Sequence, residues 1–131
     1  MPQAITGTHP DVVVNAAGCG AMLKEYSEQL ASDLLYSARA HDLSTRVRDI
    51  SEYLVELDFR PTGPVALRVT YDAPCHLHHA QRITHAPLDL MRAVPQLDLR
   101  PLKRAHECCG GAGIYAKQAL DSTRSRFRSL P

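Results

Sequence analysis

Apolar positions along this chain follow two rhythms, and the places where one gives way to the other carry its cysteines. Residues 11–17, Asp-Val-Val-Val-Asn-Ala-Ala, are a short β-branched run that predicts a buried strand. The run ends at Gly18-Cys19-Gly20, which predicts a tight turn at the strand's carboxyl end. From Ala21 the spacing lengthens. Leu23, Tyr26, Leu30 and Leu34 fall three or four apart and predict one apolar stripe on a helix of roughly four to five turns. Leu43, Val47, Ile50, Leu54 and Leu57 keep that period through a second helical stretch, with room for a break and a new N-cap inside Asp49-Ile50-Ser51-Glu52.

Arg60-Pro61-Thr62-Gly63-Pro64 is a loop by composition, and residues 65–71 then alternate as a strand does, running out at Asp72-Ala73-Pro74-Cys75-His76. Pro87 opens a helix carrying Leu88, Leu90, Met91 and Val94, Pro95 stops it, and residues 97–102 predict a further strand. The polar loop 103–107 leads to Cys108 and Cys109, and the glycines 110, 111 and 113 lead into a short helix over 114–120. The tail, residues 122–129, is expected to pack poorly. Strands alternating with helices predict an α/β fold: a parallel sheet flanked by helices, with the cysteines on loops at the carboxyl ends of strands, where such sheets form their binding crevice.

The 131 residues suffice for one domain, and fifteen basic against fourteen acidic residues give a formal charge of +1. That balance provides no field for nucleic acid or an anionic surface. No apolar run approaches the span of a bilayer, and Met-Pro-Gln does not begin a signal peptide, so a cytoplasmic location is expected. Glycine-rich nucleotide loops and nucleophile elbows are absent from the sequence.

Four cysteines in such a chain point to metal ligation or redox chemistry before structural disulfides. Four thiolates are the usual ligand set of a cubane cluster. Adjacent Cys108 and Cys109 reach one inorganic core only from a sharply turned backbone, which Gly110 and Gly111 permit. Thirty-two residues separate Cys75 from Cys108 and read as one crossover between strand ends, which would bring Cys75 near the pair. Two readings of Cys19 stand open: a ligand, or a small buried apolar residue. Zinc is an alternative because His76, His78, His79 and His106 flank the thiols, although no short Cys-x-x-Cys or His-x-x-x-His pair supports it. The histidines also read as donors to sulfur.

Three segments, Asn15 to Tyr26, Ala73 to Gln81 and Cys108 to Tyr115, resemble the cysteine-rich (CCG) domain family. Its members include the iron-sulfur subunit of glycolate oxidase, lactate-utilisation proteins, anaerobic glycerol-3-phosphate dehydrogenase and heterodisulfide reductase. The resemblance implies that residues 1–58 are the end of a first repeat, with Cys19 its closing cysteine. It implies that residues 65–131 are an incomplete second repeat, with Cys75, Cys108 and Cys109 its opening and middle cysteines. Two ferredoxin-like motifs precede the repeats in that family and none stands in these 131 residues, so the chain is expected to be a C-terminal piece of such a subunit.

By that resemblance Cys75, Cys108, Cys109 and Cys19 would hold an iron-sulfur cluster of the 4Fe-4S type. The second repeat's last cysteine is missing, which leaves open whether the chain alone retains it. The implied role is electron transfer in a glycolate-oxidase-type 2-hydroxy-acid dehydrogenase, from an FAD-containing subunit to a membrane quinone or another acceptor. The complex would sit at the periphery of the inner membrane, and the chain would not be catalytic alone. A zinc-binding or metal-free interaction module and a heterodisulfide-reductase-like disulfide reduction are the alternatives.

Overall fold

The computed structural model describes residues 10–105, as two parallel β-α-β units. In the first, β1 (Val12–Val14) pairs with β2 (Val47–Asp49), Val12 opposite Val47 and Val14 opposite Asp49, and the helices α1 (Ala17–Gln29) and α2 (Ser37–Arg46) connect them. Helix α3 (Ile50–Glu56) follows directly. In the second unit, β3 (Arg68–Thr70) pairs with β4 (Asp98–Arg100), across a connection made of a π-turn (His76–Ala80) and α4 (Ala86–Ala93). The α/β class and parallel pairing are as the sequence predicts. The pairing joins two separate two-stranded ladders among the described residues, rather than one sheet.

The second unit's register carries its own electrostatic pin. Arg68 lies opposite Asp98, and its Nε donates to the Asp98 carboxylate at 3.1 Å. Desolvation pushes the Asp98 carboxyl up, but hydrogen bonds and charge from Arg100 and Arg68 together outweigh it and hold the group below the usual carboxylate range.

The strand β2 lies inside what reads as a continuous helix over Leu43–Leu57. Helix α2 stops at Arg46, Val47 turns extended at ψ 123°, and Val47 and Asp49 are both buried. A helical period cannot separate these alternatives, because Val47 and Ile50 satisfy either. What decides is Asp49. Its side chain accepts from the Ser51 N–H at 2.8 Å, and Glu52 reaches back to the Asp49 N–H at 3.3 Å, closing a capping box that ends the strand and starts α3.

Further expectations are corrected. The first strand covers Val12–Val14 only, and Gly18-Cys19-Gly20 is no turn: α1 has begun at Ala17, and the Gly20 N–H already donates to the Ala16 carbonyl at 2.9 Å. At its other end α1 stops at Gln29, so Leu30 and Leu34 do not continue its stripe; Leu34 is 99% exposed. Asp33 enforces the break, its carboxylate accepting from the Leu35 and Tyr36 N–H groups at 2.8 and 2.9 Å. The strands expected over 65–71 and 97–102 contract to 68–70 and 98–100, and Val65 and Leu67 remain exposed. The π-turn was not foreseen. The expected helix over 114–120 and the tail 122–129 lie outside the described residues.

The buried apolar positions among the described residues are few and small: Ala21, Ala40, Val47, Leu77 and Ile83. Polar ties supplement them. Ser44 Oγ donates to the Leu23 carbonyl at 2.9 Å and accepts from the Ser27 N–H at 3.1 Å, locking α2 onto α1. Lys24 of α1 pairs with Glu52 of α3 at 3.2 Å. Asp49→Ala is expected to lower unfolding stability in urea by about 1–2 kcal/mol, the cost of a lost helix cap, whereas Asp49→Asn, which keeps an acceptor, should lose less.

Candidate functional site

Both described cysteines sit at the same distance past a strand: Cys19 is the fifth residue after Val14, and Cys75 the fifth after Thr70. Cys19 occupies the first turn of α1 with its side chain exposed, so it is not a small buried residue. Cys75 is half-buried at the N-terminus of the π-turn, with helical φ −59° and ψ −37°. Pro74 sets this geometry. It lacks an N–H, and its carbonyl accepts from both the Leu77 and His78 N–H groups at 2.9 Å. The Gln81 N–H then bonds the His76 carbonyl at 3.0 Å, the five-residue spacing that defines a π-turn. Arg82 takes φ 59°, reversing the chain so that Ile83 bonds back to the Leu77 carbonyl at 3.0 Å. The buried side chains of Leu77 and Ile83 anchor the turn from below.

The two cysteine turns are brought together by one side chain. Gln81 Nε2 donates to the Ala17 carbonyl at 2.8 Å, joining the end of the π-turn to the first turn of α1. The approach is close: a Cβ at residue 20 would meet Gln81 Nε2 at 2.7 Å and Oε1 at 3.2 Å, so the Gln81 amide would have to shift to admit one. Gly20 thus favours this contact by its missing Cβ rather than by turning the chain. Gln81 Oε1 is buried at this seam and has no hydrogen-bond partner among the described residues.

The histidines divide. His76 Nδ1 lies 3.7 Å from Cys75 Sγ. His78 and His79 meet edge to face, ring centroids 4.7 Å apart. His78 also lines a cavity of about 410 Å³ with Tyr71, Thr84, Leu88, Arg92 and Arg100. Among the described residues no group of three or more His, Cys, Asp or Glu side chains is disposed to hold a metal ion, so His76, His78 and His79 do not form a zinc site with Cys75. His106, Cys108 and Cys109 lie outside the described residues.

Behind the seam, Tyr71 follows β3 and feels the buried Asp49 at the end of β2. Burial pushes its phenol above the ordinary range, and the charges of Asp49 and Asp72 push the same way. The carboxyl ends of the two ladders therefore share one polar neighbourhood. The sequence pattern singled out neither Lys24 nor Gln81 as a contact residue. The Asp49-x-x-Glu52 spacing was the available signal for Lys24's partner, whereas nothing in the sequence around Gln81 pointed to Ala17.

Residues 69–129 match the cysteine-rich domain family (CCG), and over that segment the chain belongs to it. A probable glycolate oxidase iron-sulfur subunit of Bacillus subtilis is 38% identical over 108 residues, 79% of this chain and 24% of the relative. The glycolate oxidase iron-sulfur subunit of Escherichia coli is 32% identical over 117 residues, 86% of this chain and 28% of the relative. Lactate utilization protein A of Shouchella clausii is 35% identical over 107 residues, 80% of this chain and 45% of the relative. The chain thus spans between a quarter and a half of the length of these relatives. No solved structure matches. No helix among the described residues is long and apolar enough to cross a membrane.

Gln81→Ala is expected to cost about 1 kcal/mol, the value of one hydrogen bond, and to speed amide hydrogen exchange at Gly20 and Ala21 more than in α3. Absorbance titration should show one tyrosine ionising above about 10, lost in Tyr71→Phe. Because the folded chain favours the neutral phenol, its stabilising contribution should be complete below that pH and disappear as pH rises through the raised value.

Proposed function

We propose that this chain is an iron-sulfur electron-transfer module of a glycolate-oxidase-type 2-hydroxy-acid dehydrogenase. Cys75, Cys108 and Cys109 are its cluster ligands, with Cys19 as the fourth. The observation that carries the reading is the Gln81 seam, which fastens the turn of Cys75 to the turn of Cys19 at the carboxyl ends of the strands. The donor set fits the group: thiolate is the ligand that iron-sulfur chemistry selects, and a half-buried sulfur beside an imidazole suits a bound cluster better than an inert core. A cluster of the 4Fe-4S type would supply one-electron storage there. The chain's own residues hold the sulfurs, and the Leu77–Ile83 anchor keeps the Cys75 turn from opening.

The relatives named as glycolate oxidase iron-sulfur subunits support the assignment to a multisubunit oxidoreductase. On this reading substrate is oxidised on a separate FAD-containing subunit, and electrons pass through this module towards a membrane quinone or comparable acceptor. The module works in the cytoplasm, at the membrane periphery through its complex. Residues 1–58 and 65–131 are parts of successive repeats, a division supported by the family match within the second stretch and by the two β-α-β units.

Iron, acid-labile sulfide and electron paramagnetic resonance on protein purified without oxygen test this reading. Iron and sulfide in near-equal amounts are expected, lost in Cys75→Ser and in the Cys108→Ser, Cys109→Ser double variant. Iron-free protein, or iron retained by both variants, would contradict it in favour of an interaction module.

A further inference from the structure

The imidazole of His76 stands beside a candidate sulfur ligand. Its Nδ1 stands 3.7 Å from Cys75 Sγ, within reach of a hydrogen bond to sulfur. The backbone that carries the ring is held in place. Pro74 fixes the start of the π-turn through two carbonyl bonds, and the His76 carbonyl is itself held by the Gln81 N–H at 3.0 Å. Gln81 is in turn fastened to Ala17. The backbone of residue 76 is thereby held on its carbonyl side, while its ring remains exposed. His78 and His79, two and three positions further on, engage each other.

We propose that His76 is a positioning residue that donates its Nδ1–H to the Cys75 sulfur and so raises the reduction potential of the cluster held there. This rests on the reading of Cys75 as a cluster ligand. The physical reason is charge. Reduction adds an electron that is shared with the thiolate sulfurs, and a donor aimed at one sulfur stabilises the more negative state more than the oxidised one. The same bond holds the sulfur's lone pair in a fixed direction, as partners of metal ligands commonly do. Because the imidazole is exposed, replacing it leaves no cavity and no buried orphan, so the fold tolerates the change.

The test compares wild type, His76→Phe, His76→Asn and, as a remote exposed control, His41→Phe, each purified without oxygen and titrated with dithionite while the cluster signal is followed by electron paramagnetic resonance. Iron and sulfide content should be equal in all four. In His76→Phe the oxidised-to-reduced ratio at a fixed potential should rise roughly three- to tenfold, tenfold corresponding to about 59 mV for a one-electron couple. His76→Asn, which keeps a donor, should recover part of the shift, and His41→Phe should show none. Full iron content with an unmoved midpoint in His76→Phe would overturn the role of His76 alone. Absence of iron from wild type would overturn the cluster reading and this inference with it.

Discussion

The described architecture depends on a single close approach, the Gln81 side-chain amide reaching the Ala17 carbonyl across the bare face of Gly20. Without it the two β-α-β units would be joined near the cysteines only by small apolar contacts, and the buried apolar set offers little more than alanines, one valine, one leucine and one isoleucine. The contact is specific at some cost. Among the described residues Gln81 Oε1 is left buried without a partner, an arrangement that costs about 1–3 kcal/mol where no water reaches it. A merely structural seam is more cheaply built from packed hydrocarbon. A polar seam built on a directional hydrogen bond favours one register, which matters when two sulfurs must be presented together.

A second set of polar ties stands behind the first. Asp49 caps α3 and ends β2, Glu52 closes the capping box and takes Lys24 from α1, and Tyr71 at the end of β3 is held neutral by burial and by Asp49 and Asp72. The ends of β2 and β3, and the middle of α1, are therefore coupled through charge and hydrogen bonding. Such a site is stiff in direction yet shallow, which suits groups that must hold a cofactor near the surface and exchange electrons with another subunit.

Much of this was legible in the sequence. The α/β class followed from alternating periods, Pro74-Cys75-His76 stood at a strand end as expected, and Asp49-x-x-Glu52 marked a cap within a seemingly continuous helix. Other features were hidden for physical reasons. Val47 and Ile50 fit a helical stripe and a strand equally well, so β2 left no signature of its own. Gly18-Cys19-Gly20 suggested a turn because glycine's backbone freedom is the commoner reason for its use, whereas Gly20 serves by having no Cβ beneath Gln81. Leu34 continued a stripe on paper, but the Asp33 carboxylate captured the following N–H groups and ended the regularity. The π-turn arises from Pro74's doubly accepting carbonyl, a geometry that no periodicity announces.

The central claim is that Cys75, at the clamped π-turn, is a thiolate ligand of an iron-sulfur cluster. The most direct measurement is a Mössbauer spectrum of the full chain reconstituted with iron-57, beside that of Cys75→Ser. The account expects tetrahedral, sulfur-coordinated iron in the wild type, with the signal lost or one iron distinctly altered in the variant. Iron in six-coordinate oxygen or nitrogen surroundings, or identical spectra for the two proteins, would contradict it.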